Sequence, residues 1–166
     1  MSRVIEAAES VNAEIIVSIT GDCPLIDPQL VDQAIRTFMH NCCDYVNNAA
    51  IPGYPGGMNV QVYSLDSLLK SSESTNDILD REHVTSYIYA NPDLFFPIYL
   101  LPTPELNHPE YTLELDEKSD YELIKQIIEH FGENNISFSC KDIIDLLLEN
   151  PEWHDINKKV IRKGFE

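Results

Sequence analysis

The chain has 166 residues, with 28 Asp and Glu against 11 Lys and Arg, and a formal net charge of −17. At 43% hydrophobic it carries enough apolar residues for a core, which argues against global disorder. The acidity argues against duplex nucleic acid, whose grip needs clustered Lys and Arg, and equally against an anionic membrane surface.

The cations are unevenly placed. Lys158, Lys159, Arg162 and Lys163 crowd the last nine positions. Between Val4 and Asn157 there are six: Arg36, Lys70, Arg81, Lys118, Lys125 and Lys141. Phosphate handled by that middle region needs a metal ion, or basic groups from elsewhere. The N-terminus shows no signal-peptide pattern, and no apolar run reaches membrane-spanning length, so a cytoplasmic protein is expected. Cys23, Cys42, Cys43 and Cys140 form no CxxC pair, and reduced, mostly buried thiols are the plain reading.

In chain order, Arg3 to Asn12 reads as the end of a helix, with Val4, Ile5, Ala8 and Val11 on one face. Glu14 to Thr20 is a β-branched run of the kind found in strands buried on both faces. It ends at Gly21-Asp22-Cys23-Pro24. Asp27-Pro28 then opens a helix to about His40. Asp44 to Asn47 is a short strand. Ile51 to Gly57 is a Gly/Pro loop, and Met58 to Tyr63 alternates as a strand. Ser64 caps a short helix. Ser71 to Asn76 is a polar, mobile loop, and Ile78 to Ala90 is one helix stopped by Pro92. Phe95 to Leu101 and Tyr111 to Leu115 are strand-like. Ser119 to Glu122 and Ser139 to Asp142 fit capping boxes before two further helices. Alternating helices and doubly buried strands predict an α/β fold with a mostly parallel sheet. In such sheets ligands bind beyond the carboxyl ends of the strands.

Those ends carry the candidate chemistry. Asp22 follows the Glu14–Thr20 strand, placed to ligate Mg²⁺ or merely to cap its own turn. Asp116, at the end of the Tyr111–Leu115 strand, has the same two readings. Arg81 suits a phosphate or carboxylate, or else a surface ion pair. His83 suits a sugar hydroxyl or a partly buried helix position. Tyr54, in the Gly/Pro loop, either contacts a ligand or plugs the loop onto the core.

Three runs are specific: ITGDCPLIDP at 19–28, REHVTSYIY at 81–89, and YTLELD at 111–116 with DYELI at 120–124. Together they resemble the spore-coat polysaccharide biosynthesis (SpsF-like) branch of the acylneuraminate cytidylyltransferase family. The resemblance runs through Asp142-Ile143-Ile144 to Arg162-Lys163. It implies a three-layer, Rossmann-like nucleotide-diphospho-sugar transferase fold. It also implies Mg²⁺-dependent attack of a sugar oxygen on the α-phosphate of CTP, releasing pyrophosphate. Asp22 and Asp116 match the metal-binding acids of the family, and Tyr54, Arg81 and His83 are the candidate substrate contacts.

Two departures accompany the resemblance. Asn59 and Gln61 stand where this branch usually carries Asp and Glu. The ARxxSxRxPxK loop that grips the nucleotide in the family does not occur in these residues. Residues 1–166 are therefore expected to be the C-terminal portion of one N-terminally truncated cytidylyltransferase-like domain. An exposed edge on the Glu14–Thr20 strand predicts a homo-oligomer. Two other readings remain open: a non-catalytic binding or oligomerisation module, and a glycosyltransferase of related fold, although no DxD motif supports the latter.

Overall fold

The computed structural model describes residues 1–132 and 137–160. Arg162 and Lys163, the end of the resemblance, lie outside the described residues. The chain divides into two compact units.

The first unit comprises Met1–Ser18, Asp32–Ala50 and Val60–Leu100. Its four-stranded sheet has the order β1 (Ile15–Ser18), β3 (Gln61–Ser64), β2 (Tyr45–Asn47), β4 (Pro97–Tyr99). Both β1 and β2 run antiparallel to β3, and β4 runs parallel to β2. The sheet is therefore mixed and mostly antiparallel, which corrects the expectation of a mostly parallel one. The connections explain the β2–β3 and β2–β4 pairs. No helix lies between β2 and β3, whereas α3 (Leu65–Ser74), α4 (Ile78–Glu82) and α5 (Ser86–Ala90) separate β3 from β4. Parallel pairing needs a long crossover, which the β2-to-β4 route supplies; the β1-to-β3 route is also long and contains a helix at Pro28–His40, yet that pair is antiparallel.

The strand around Ile15–Ser18 is not buried on both faces either. Ile15 and Val17 are 40% and 37% exposed, because β1 is the terminal strand of the sheet. Helix α1 (Ser2–Ser10) contributes Val4 and Ile5 to a core built on Tyr45, Tyr63, Leu68, Ile88 and Phe95.

Two local expectations also change. The stretch 71–76 is no loop through its first four residues: α3 runs to Ser74, and Ser67, Leu68 and Ser71 form its buried face. Small serines permit close approach there while Ser64 caps the helix by accepting from Ser67 N at 3.0 Å. The predicted helix at 78–90 is broken into α4 and α5. Val84 sits at φ +37°, an unusual conformation for a β-branched residue. Buried Thr85 donates its hydroxyl to Gln61 Oε1 at 2.6 Å, so a tertiary bond replaces helical continuity.

The second unit comprises Ile19–Val31, Ile51–Asn59 and the residues from Leu101 onward. Helix α2 (Pro28–His40) begins here. Asp27 is buried and serves two helix starts. Its Oδ1 accepts from Gln29 N and its Oδ2 from Cys140 N, both at 2.8 Å. Helices α6 (Lys118–Phe131) and α7 (Cys140–Glu149) turn Leu123, Ile127, Ile143, Ile144 and Leu147 into a core shared with Leu25, Met58 and Leu113. A short α8 (Pro151–His154) follows.

The Ser139–Asp142 capping box forms as predicted. The other box is displaced. Its N-cap is Glu117 and Asp120 is the third helical residue, so α6 starts at Lys118. Tyr111–Leu115 is not a strand of the sheet. It makes one parallel bridge, Gly56 to Thr112, and then changes partner to Asp22. That exchange prevents a continuous ladder.

Candidate functional site

The site is assembled from three segments of the second unit: the turn at 20–23, the loop at 56–59 and the extended stretch 111–116. The turn closes through Cys23 N to Thr20 O at 3.2 Å. A hydrogen bond from the Thr20 hydroxyl holds the Asp22 carboxyl below the usual aspartate range, against a smaller opposing effect of burial. Cys23 Sγ lies 3.0 Å from Thr20 Oγ1 and 3.5 Å from Asp22 Oδ1. Burial, with the neighbouring charges of Asp22 and Glu114, pushes the Cys23 thiol up to about 11. It is therefore a neutral packing group rather than a nucleophile.

The backbone carbonyl of Asp22 accepts from Leu115 N at 2.8 Å. This bond brings the residue carrying one candidate carboxylate against the neighbour of the other, Asp116. The main chain of Asp116 is held from its far side as well. Fully buried Asp120 accepts from Asp116 N at 3.2 Å and from Glu117 N at 2.8 Å through Oδ2. Its Oδ1 accepts from Asn157 Nδ2 at 2.8 Å, and Asn157 also donates to Thr112 O at 2.9 Å.

The loop at 56–59 lies along the same stretch. Gly56 N donates to Tyr111 O at 2.9 Å, and Leu113 N donates to Gly56 O at 2.8 Å. Gly57 adopts φ +89°, and a Cβ there would sit 2.8 Å from Leu113 O. Glu114 Oε1 accepts from Gly57 N and from Asn59 Nδ2, each at 3.2 Å.

The structure thus brings Asp22 and Asp116 into adjacent backbone positions. Tyr54 lies in the same unit, buried, with its hydroxyl donating to Leu101 O at 3.3 Å. Arg81 and His83 belong to the first unit. Arg81 Nη1 donates to the carbonyl and hydroxyl of Ser72, at 2.9 and 2.8 Å. His83 is exposed and caps the C-terminal end of α4. Sequence reasoning missed Glu114 and the anchoring role of Asp120. A signal for Asp120 existed: an acid three residues after Glu117 at a helix start.

Among the described residues, no cluster of three or more His, Cys, Asp or Glu converges into a metal cage. Two carboxylates remain compatible with Mg²⁺. That ion is usually held by one or two carboxylates and completes its shell with water and substrate phosphates. Asp22 and Asp116 are the residues whose carboxylate oxygens could hold it. Among the described residues no helix is long and apolar enough to cross a membrane.

The chain is similar to known proteins along nearly its whole length. An uncharacterized protein of Methanocaldococcus jannaschii is 33% identical over 165 residues, covering 99% of this chain and 66% of its own length. The spore coat polysaccharide biosynthesis protein SpsF of Bacillus subtilis is 32% identical over 154 residues, covering 92% of this chain and 62% of its own. The solved structure of a cytidylyltransferase from Leptospira borgpetersenii superposes with a TM-score of 0.86 at 28% identity, over 98% of this chain and 66% of that one. The chain thus spans just under two thirds of the length of these relatives. A cytidylyltransferase family model matches residues 1–143, and with this match the chain belongs to the cytidylyltransferase family.

Proposed function

We propose that this chain carries the metal-side portion of a Mg²⁺-dependent sugar cytidylyltransferase of surface-glycan or polysaccharide biosynthesis. The intact enzyme would convert CTP and a sugar, such as a sugar acid, into a CMP-sugar and pyrophosphate. The observation that supports this reading is the Asp22 O to Leu115 N bond, which brings the main chain of Asp22 to within one residue of Asp116. Asp22 stays ionised below the usual aspartate range, so it keeps its charge for a cation across neutral pH. Mg²⁺ bound there would neutralise the charge on the phosphates. The chain's own residues would position: Asp120 fixes the Asp116 backbone, and Tyr54 is assigned to the substrates.

We assign the triphosphate grip to sequence other than these 166 residues, which contain no ARxxSxR-type loop. Self-association is part of the proposal, supported by the open edge of β1 and the exposed Ile15 and Val17.

The test supplies the chain with a segment bearing an ARxxSxR-type loop from a relative, fused or in trans. Pyrophosphate release from CTP is then followed with Mg²⁺ and a panel of sugars. Turnover should need both parts and fall roughly 100-fold or more with Asp22→Asn or Asp116→Asn. No turnover with any sugar would favour a non-catalytic binding module. Turnover indifferent to both substitutions would remove the two carboxylates from the mechanism.

A further inference from the structure

We propose that Asn59 is a specificity-determining residue whose side-chain carbonyl accepts a hydrogen bond from a hydroxyl of the substrate, with Glu114 as its positioning residue. The proposal rests on the preceding reading in one respect, that Asp22 and Asp116 mark the reacting end of the unit.

One hydrogen bond fixes the polarity of the Asn59 amide. Glu114 Oε1 receives Asn59 Nδ2 at 3.2 Å and Gly57 N at the same distance. An ionised carboxylate only accepts, so the Asn59 amide must turn its NH₂ toward Glu114. The two orientations of an asparagine amide are usually close in energy, and here the partner decides between them. The side-chain oxygen is left facing away from Glu114. It takes no hydrogen bond from a described residue, and it is not among the buried polar atoms lacking a partner, which are the hydroxyls of Tyr63 and Ser71. It is therefore open to solvent.

Such an atom selects by chemistry. A carbonyl oxygen accepts from a hydroxyl and repels a carboxylate or phosphate oxygen. Its surroundings are fixed in advance. Gly56 is bonded on both its N–H and C=O to the stretch 111–113, and the close approach of Gly57 to Leu113 leaves no room for a side chain. Glu114 lies two residues before Asp116 and next to Leu115, whose N–H holds Asp22. Its charge is also felt at Cys23. The acceptor thus belongs to the same rigid group of segments as the two candidate metal carboxylates, and rigidity of this kind favours selective binding. A purely structural Asn59 would need only its NH₂.

The hydroxyl has two possible sources, a ribose or the acceptor sugar, and the experiment separates them. The full chain is titrated with millimolar cytidine 5′-monophosphate, its 2′-deoxy and 3′-deoxy forms, and N-acetylneuraminate, all with Mg²⁺, and binding is read by NMR. With a ribose source, Asn59→Ala weakens cytidine monophosphate about fivefold and leaves one of the deoxy forms unchanged. With a sugar source, the loss falls on N-acetylneuraminate alone. Glu114→Gln should weaken the same probe and add nothing in the Asn59→Ala background, because it acts through Asn59. Asn59→Gln, which keeps the amide but displaces it, serves if the alanine variant does not fold, and should show the same loss.

Binding within twofold of the parent chain for every probe would overturn the proposal, as would effects of the two substitutions that multiply. So would the absence of saturable binding of any probe. Asp22→Asn separates the two levels of the argument. If it abolishes Mg²⁺-dependent binding while Asn59→Ala changes nothing, only the Asn59 inference falls. If it too changes nothing, the reading of the site falls with it.

Discussion

Replacing Asp120 with Ala will lower the melting temperature by about 10 °C, corresponding to a loss of about 3–5 kcal/mol. The carboxylate is fully buried and accepts from, among described residues, Asp116 N, Glu117 N and Asn157 Nδ2. Alanine leaves all three without their acceptor. Two of them are backbone groups at the start of α6, where the helix cannot satisfy its own N–H groups. Asn157 would keep its bond to Thr112 O but lose the partner that orients it. Asp120→Asn should cost less, because an amide oxygen can still face Asp116 and Glu117. Its NH₂ would then oppose Asn157 Nδ2, so the loss does not vanish. Thermal unfolding followed by circular dichroism ranks the three proteins. Asp120→Asn melting with Asp120→Ala would show that the negative charge, rather than the acceptor geometry, carries the effect.

Gly57→Ala is expected to destabilise the chain by about 2–4 kcal/mol. Two separate costs add here. The backbone at φ +89° disfavours any L side chain, and the new Cβ would meet Leu113 C and O at 2.8 Å. Those contacts are main chain and cannot rotate away. Relief requires the loop at 56–59 to withdraw from the stretch 111–115, which also stretches the bonds from Gly57 N and Asn59 Nδ2 to Glu114. Gly21→Ala is the control: its Cβ would meet nothing within 4 Å. Denaturant unfolding should separate the two variants clearly, and equal midpoints would contradict the close packing of this loop.

The helices were legible because their signals are local. Asp27-Pro28 opens α2 and Ser139 with Asp142 opens α7, as periodicity and capping chemistry indicate. Strand pairing was less legible, since the direction of β3 depends on what its connections do in space. A β-branched run such as Ile15-Ile16-Val17 reads the same whether a strand is central or terminal, and only its partners reveal that β1 is at the sheet edge. The break at Val84 was invisible for a related reason. It is enforced by the bond from Thr85 to Gln61, twenty-four residues away.

The site was partly legible. Asp22 and Asp116 stood out by position and by family resemblance, but their adjacency rests on one main-chain bond between distant segments. Glu114 was overlooked because an acid within an alternating stretch looks like a solvated face. Its role depends on Gly57 and Asn59 arriving from elsewhere in the chain.

Paramagnetic Mn²⁺ reports on a metal site at Asp22 and Asp116, since it binds oxygen ligands as Mg²⁺ does and broadens nearby amide resonances. A chain of net charge −17 presents many weak sites, so the order of broadening matters. The sharpest competitor is the open cleft lined by Glu9, Glu14 and Asp66 in the first unit. At substoichiometric Mn²⁺ the resonances of Asp22, Cys23, Leu115 and Asp116 should disappear first, and Asp22→Asn should abolish that selectivity. Broadening that begins at Glu9, Glu14 and Asp66 while residues 22 and 116 stay sharp would contradict a metal site at the Asp22 and Asp116 carboxylates.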